Sequence, residues 1–407
     1  MHAQLVVVGG GPIGAVAARC AAEAGASVLL VERRADLSRS SCCTGLVSPR
    51  TLATLGVSTE SVLREIRGIT VRAPDGRELE LSADHVKAIV IDRGRLEREL
   101  HERARDAGVD VRLATEAVSA SSDAIVLESA DGPMRVTAPV VIGADGPCSR
   151  VAQWFGLSRP EQYVHAAQAV VEADPQFPSD RVEVVFGEKV APGFFAWVVP
   201  AEGERLRIGL GVFPPRNPSE HLDRFLKARF PEHEVLSRAG GWIPVAPAPR
   251  SATDSSVLLV GDAAGQVKPL SGGGLFLGGV CARIAGRIAA ETALSGASDR
   301  RAATAYESEW RSAIGREIAF GRSIRRICGT LSDRELDVAI AACDDPDLLA
   351  FLAARADIDR LHRLPDELAA RPPLWGKALR LLPCVAKREI VDLPDRSPVV
   401  SAPRASL

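Results

Sequence analysis

The chain has 407 residues, enough for two or three packed units rather than one core. Its 50 basic and 52 acidic residues leave a formal net charge of −2, which offers no electrostatic footprint for nucleic acid. The cysteines, at 20, 42, 43, 148, 281, 328, 343 and 384, form no C-x-x-C pair and have no histidine pair at ligand spacing beside them. Neither a zinc site nor a disulfide framework is therefore expected, and reduced thiols in a cytoplasmic protein are the natural reading.

Residues 5–8 (LVVV) read as a buried parallel strand, followed by the glycine turn 9–14, a small-residue helix over 15–24 and a second strand over 27–31 closed by Glu32. The pattern then changes. Segments 68–72 and 78–81 flank Asp75-Gly76, a hairpin signal. A strand at 89–91, a helix over 93–107 and strands at 110–113, 124–128 and 139–142 follow. From 157 to 250 the chain is β-rich, with the clearest strands at 182–186, 194–199 and 206–213 and a helix over 218–230. Residues 256–260 (SVLLV) return as a buried strand, and 275–294 as a small-residue helix.

After Gly296 the chain is helical and rich in arginine. Ser332 with Glu335 forms a capping-box signature, Pro372-Pro373 interrupts, and the last dozen residues read as a loose tail. The stretch 311–326 carries apolar positions at Trp310, Ile314, Ile318 and Ile324. A helix packed on its own domain is the better reading of it than one lying on an anionic membrane. No signal-peptide pattern and no run of about 18 apolar residues is read, though peripheral membrane contact stays open.

The fold class expected is α/β. A Rossmann-like dinucleotide domain (1–47, 89–156, 251–295) is interleaved with a β-rich substrate domain (48–88, 157–250), ahead of a helical region with a loose tail (296–407).

Gly9, Gly11 and Gly14 fit the dinucleotide fingerprint. The first permits the tight turn, the second lets backbone approach a pyrophosphate, and the third lets helix pack on strand. Pro12 opens the helix, whose free N–H groups face the phosphates. Glu32 stands where a carboxylate accepts from adenosine ribose hydroxyls and repels a 2′-phosphate, with Arg33 beside it. FAD or NAD remains open at this point. The later segment favours FAD. Asp262 ends a strand, and Gly272-Gly273-Gly274 with Leu275 opens a helix. An acceptor for ribityl hydroxyls and a helix dipole near the ring system are what a flavin needs.

The segments GGGPIG…E, GADGPCS and GDAAG…P…GGG resemble the para-hydroxybenzoate-hydroxylase-like FAD superfamily, and within it the geranylgeranyl reductase family. Cys43-Thr44-Gly45-Leu46 is similar to that family's cysteine–glycine motif. Phe195-Ala196-Trp197-Val198-Val199-Pro200 is similar to its aromatic-x-Trp-x-x-Pro motif, with Phe195 and Val199 in place of Tyr and Phe. Gly265 stands where the hydroxylases usually carry His.

The resemblance spans about residues 1–295 and implies an FAD-dependent reductase of isolated C=C bonds in a prenyl chain or terpenoid. The substrate would be a hydrophobic small molecule or lipid. NAD(P)H or reduced ferredoxin from a redox partner would be the external reductant. Asp145-Gly146 would lie near the pyrophosphate and Arg93 near the flavin. Cys43 would sit on a mobile active-site loop and could donate a proton. Phe195 and Trp197, two apart on a strand, would share one face of an apolar channel and stabilise cationic character there.

Two rivals stand beside this reading. A flavin-dependent halogenase or monooxygenase is suggested by the likeness of Phe195–Pro200 to the W-x-W-x-I-P pattern; Cys43-Thr44-Gly45 and Gly265 argue against it. An electron-transfer flavoprotein passing electrons to quinone would need a cysteine-rich iron–sulfur module, which is not seen.

Overall fold

The structure, a computed structural model, describes residues 1–37, 43–121, 124–172, 177–248, 252, 257–296 and 299–378. Cys42, Cys384, Ser256 and the expected tail lie outside the described residues.

The apolar runs form the centre of a five-stranded parallel sheet. Its order is Val257–Leu259, Val140–Gly143, Leu5–Val8, Val28–Val31 and Asp110–Arg112. Four of its strands, the edge strand Val257–Leu259 included, are buried along their whole length, as a parallel sheet covered on both faces requires. One face carries the helices Pro12–Glu23, Arg93–Asp106 and Leu275–Ser295. The first and third of these touch closely. A Cβ on Gly286 would stand 2.5 Å from the Ala17 carbonyl oxygen, so the absence of a side chain there sets the helix–helix distance. The other face is covered by a three-stranded antiparallel sheet, Glu116–Ala120, Ile125–Ser129 and Gly132–Val136.

The β-rich unit is a seven-stranded sheet. Its order is Val235–Pro244, Tyr163–Glu172, Arg205–Val212, Ala196–Pro200, Arg181–Val185, Gly68–Arg72 and Glu78–Ser82. The expected hairpin is its far edge, and Gly68–Arg72 pairs in parallel with Arg181–Val185. A smaller sheet, Leu46–Val47, Ala88–Ile91 and Val62–Ile66, lies where the chain crosses between the two units.

Several elements differ from expectation. Tyr163–Glu172 and Val235–Pro244, ten residues each, are the longest strands and were not expected. The helix Pro49–Leu55, in a segment expected to belong to the β-rich unit, puts Leu52 and Leu55 into the core of the parallel-sheet unit, against Leu275–Ser295. Pro372 opens a short helix, Pro372–Ala378, instead of only interrupting one. Phe195 immediately precedes its strand instead of lying within it.

Beyond Gly296, Asp299–Cys328 is one 30-residue helix. Tyr306, Trp310, Ile314 and Ile318 repeat on one stripe and are buried in the parallel-sheet core, each worth about 2 kcal/mol of transfer free energy. That face is spent on the protein's own core. The Ser332–Glu335 capping box is present. Among the described residues, no helix is long and apolar enough to cross a membrane.

Candidate functional site

The glycine turn lies at the carboxyl end of Leu5–Val8, where open parallel sheets bind ligands. Gly9 has φ +101°, and a Cβ there would fall 2.4 Å from the Ala144 carbonyl oxygen. A Cβ on Gly14 would fall 1.9 Å from the Gly9 carbonyl oxygen. Gly11, by contrast, has nothing within 4 Å of its Cβ direction. Two glycines thus close the turn, and the middle one leaves space on the outer side. Pro12 is the first helical residue, and no side chain caps this helix start, so its N–H groups remain free for an anion.

Glu32, 6% exposed, accepts from Gly10 N at 2.8 Å through Oε2. Through Oε1 it accepts from Arg34 N at 2.9 Å and Arg34 Nε at 3.1 Å. Arg33 is exposed, and it is its neighbour Arg34 that carries this cluster's hydrogen bonds. Arg34 reaches on to Glu97 Oε2 at 2.8 Å, and Glu97 Oε1 accepts from Arg93 Nη2 at 2.8 Å. Burial disfavours the Arg93 cation, but Cys43 and Glu97 outweigh it and hold the guanidinium firmly protonated. Arg93 Nη1 lies 3.1 Å from Cys43 Sγ, and Gly45 N donates to the same sulfur at 3.3 Å. A continuous polar chain therefore joins the carboxylate beside the glycine turn to the half-buried thiol.

His101, on the same helix as Arg93 and Glu97, is 1% exposed. Its Nε2 donates to the Gly10 carbonyl at 2.5 Å, and burial pushes its pKa down, so the neutral Nε2–H form props the turn.

Asp262 occupies the 3-10 turn Gly261–Ala264 that follows Val257–Leu259. Among the described residues no donor bonds its side chain. Burial raises its pKa to about 6 against the lowering influence of Arg93. A Cβ on Gly274 would stand 2.8 Å from Asp262 Oδ1, so the carboxylate lies against the start of the helix that begins at Leu275. That helix start has no side-chain cap. Gly272 takes φ +74°, and Gly272 and Gly273 pair with Lys268 through its carbonyl and amide. The long helix Asp299–Cys328 braces the loop from behind. Tyr306 Oη donates to the Leu259 carbonyl at 2.7 Å and accepts from Gln266 Nε2, whose Oε1 accepts from Gly261 N.

An unpartnered, half-buried acceptor, two uncapped helix starts and an open cradle at Gly11 are features that a dinucleotide with a polyhydroxyl linker fits. Glu32, Gly9–Gly14, Asp262 and Gly272–Leu275 are the residues that would hold it.

The backbone of Asp145 abuts Gly9, and space is open beside Gly146 at φ +82°. The Asp145 side chain, however, turns to the helix Arg150–Trp154, accepting from Ser149 Oγ, Arg150 N and Val151 N at 2.7, 2.7 and 3.0 Å. Only main chain from this pair is left to face the turn.

In the seven-stranded sheet, Trp197 is buried and Phe195 half-buried, with ring centroids 6.1 Å apart; Phe194 stacks on Phe195 at 4.2 Å. Trp197 Nε1 donates to Gln168 Oε1 at 3.2 Å, and Gln168 Nε2 donates to the Cys43 carbonyl at 3.2 Å. Arg207 Nη1 donates to the carbonyls of Thr44 (2.7 Å) and Ile91 (3.1 Å). The structure thus brings Cys43, Arg93, Phe195 and Trp197 into one connected region. Arg34, Glu97, His101, Gln168 and Arg207 are additions that no local pattern announced.

A family model described as an FAD binding domain matches residues 2–319. Among curated proteins, the digeranylgeranylglycerophospholipid reductase 2 of Methanothermobacter thermautotrophicus is 35% identical, over 86% of this chain and 93% of the relative. The digeranylgeranylglycerophospholipid reductase of Methanothrix thermoacetophila is 32% identical with the same coverages. Among solved structures, a geranylgeranyl bacteriochlorophyll reductase-like protein from Thermoplasma acidophilum superposes with a TM-score of 0.79 at 22% identity, over 90% of this chain and 99% of that one. A p-nitrophenol 4-monooxygenase from Pseudomonas putida reaches 0.70 at 18% identity, over 88% and 98%, a likeness of fold.

Proposed function

Because the chain belongs to the geranylgeranyl reductase family of FAD-dependent oxidoreductases, we propose that it saturates isolated C=C bonds in the prenyl chains of a lipid. Digeranylgeranylglycerophospholipids, named in the curated relatives, are the substrate class of first choice. The hydride would come from FAD held at this site and reduced by NAD(P)H or a reduced ferredoxin. Saturation of one double bond consumes that hydride and one proton.

The observation that carries this reading is the placement of the Cys43 thiol. Its sulfur is 3.1 Å from Arg93, and its carbonyl is tied through Gln168 to the indole of Trp197. In this reading Cys43 Sγ holds and gives up the proton, and Arg93 steadies the sulfur after the proton has left. Phe195 and Trp197 wall the chain with apolar, electron-rich faces that tolerate cationic character on carbon without hydrating it. Glu32 and Asp262 would hold the cofactor, and the Arg34–Glu97–Arg93 chain links Glu32 to the thiol.

The test is mass spectrometry of digeranylgeranylglycerophospholipid incubated anaerobically with the dithionite-reduced, FAD-loaded protein. A gain of two hydrogens per reduced bond is expected; unchanged lipid masses, or turnover only when oxygen is admitted, would overturn the reading. Cys43→Ala should keep its FAD and lose about 10²-fold in kcat, whereas full activity in that variant removes the thiol from the proton path.

A further inference from the structure

Gln168 stands at the junction of the Cys43 loop and the aromatic wall, and nothing in its local sequence marks it. It is 6% exposed, on the strand Tyr163–Glu172, and both ends of its side-chain amide are used. Nε2 donates to the Cys43 carbonyl and Oε1 accepts from the Trp197 indole, each at 3.2 Å. A carbonyl and an N–H donor face it from opposite sides, so the residue between them must carry one donor and one acceptor at that reach.

The sheet register explains how the indole gets there. Gln168 pairs with Gly209 on one neighbouring strand, and Gly209 pairs with Trp197 on the next. The three residues form one row across three strands. A Cβ on Gly209 would fall 2.5 Å from Trp197 Cζ2 and 2.6 Å from Cε2. The missing side chain in the middle of the row lets the indole lie across the central strand and reach Gln168. Two positions back on that central strand, Arg207 donates to the Thr44 carbonyl. Successive carbonyls of Cys43 and Thr44 are therefore gripped by adjacent strands of the substrate sheet.

We propose that Gln168 is a positioning residue that sets the Cys43 thiol and the Trp197 ring in one fixed relation, with Gly209 as the space that permits it. It acts through its two partners. Losing the amide leaves the Cys43 carbonyl without its donor and the indole free to turn, while Arg207 still tethers the loop. Because a shift of about 1 Å at a reacting group can cost around 10²-fold in rate, the effect falls on turnover and not on cofactor retention. This inference rests on the proposed role of Cys43.

The experiment uses the FAD-loaded protein carrying Gln168→Met, which keeps the length and volume of the side chain and removes both hydrogen bonds. Three readouts are taken: FAD content, kcat and KM on the prenyl lipid, and the rate at which iodoacetamide alkylates Cys43, followed by peptide mass spectrometry. The expected result is unchanged FAD content, kcat down about tenfold or more with KM within twofold, and Cys43 alkylation several-fold faster. Trp197→Phe keeps an aromatic ring but removes the N–H together with the part of the indole that lies over Gly209; it reaches the same chain from its other end. It should also speed Cys43 alkylation, and the double variant should be less than additive. Wild-type alkylation rates in both single variants would overturn the proposal. If the wild-type protein reduces no prenyl lipid, the functional reading fails, and the alkylation rates still decide the role of Gln168.

Discussion

Among the described residues the Asp262 side chain has no hydrogen-bond donor, and that governs its chemistry. Its carboxyl is raised to about 6 from 3.8, by burial first, with Arg93 pulling the other way. A raised acid contributes its stability below the unfolded value of 3.8 and loses it as pH climbs through about 6. At neutral pH the charged carboxylate therefore costs the cofactor-free protein on the order of 2 kcal/mol, discounted because the residue is only half-buried. Asp262→Asn should accordingly raise the urea midpoint of the FAD-free protein at pH 7, by less at pH 5, and weaken FAD binding. A gain of equal size at both pH values would mean that the carboxylate charge is not its source.

His101 works in the opposite sense. Its depressed pKa keeps the ring neutral, so its contribution is present above the ordinary value of 6.5 and is lost as pH falls through the lowered one. His101→Gln should flatten the acid limb of the stability–pH profile below pH 6.5; an unaltered limb would count against the neutral Nε2–H···O bond.

At the scale of elements, what could be read from the sequence follows the strength of the local pattern. LVVV, PVVI and VLLV are short apolar runs of the kind a strand buried on both faces needs, and each carries one. Trp310, Ile314 and Ile318 repeat at helical spacing, and their burial is as legible. Tyr163–Glu172 was hidden because its central AAQA is neither alternating nor bulky. Val235–Pro244 was hidden because it is an edge strand, mostly exposed, with Gly240-Gly241 at its middle.

The helical C-terminal region matched no motif, yet it reaches the site. Asp359, 1% exposed, pairs with Lys268 at 2.5 Å and accepts from Ser48 Oγ. Lys268 in turn brackets the Gly272-Gly273 turn through its main chain. Asp359→Asn would strand a nearly buried ammonium, at a cost of about 3 kcal/mol, and should loosen the turn. The expected outcome is a lower urea midpoint together with weaker FAD binding. A midpoint lowered with FAD affinity intact would show that the strap stabilises the fold without shaping the cofactor site.

On the scale of the whole molecule, the chain passes from the parallel sheet to the seven-stranded sheet and back more than once, so neither unit is built from one continuous segment. Motif reading reached the glycine turns and Cys43 because each is a local arrangement with its own geometry. It passed over Glu97, Gln168 and Arg207 because each is an ordinary polar residue on a regular helix or strand, given meaning only by what the crossing brings beside it. Together these residues make one polar chain: Glu32, Arg34, Glu97, Arg93, Cys43, Gln168, Trp197. It begins beside the glycine turn and ends inside the seven-stranded sheet.

Such a chain implies that ordering one end orders the other. FAD at 100 times its Kd would stabilise the folded state by about 2.7 kcal/mol. If the two units unfold together, that protection must appear in both. Amide hydrogen exchange should therefore slow on adding FAD not only in residues 5–31 and 257–290 but also in the strands Tyr163–Glu172 and Arg205–Val212. Gln168→Met should preserve the first effect and diminish the second. Protection confined to the parallel-sheet unit in the wild-type protein would mean that the seven-stranded sheet opens independently. The polar chain would then be a set of separate contacts rather than a coupling between cofactor and substrate sites.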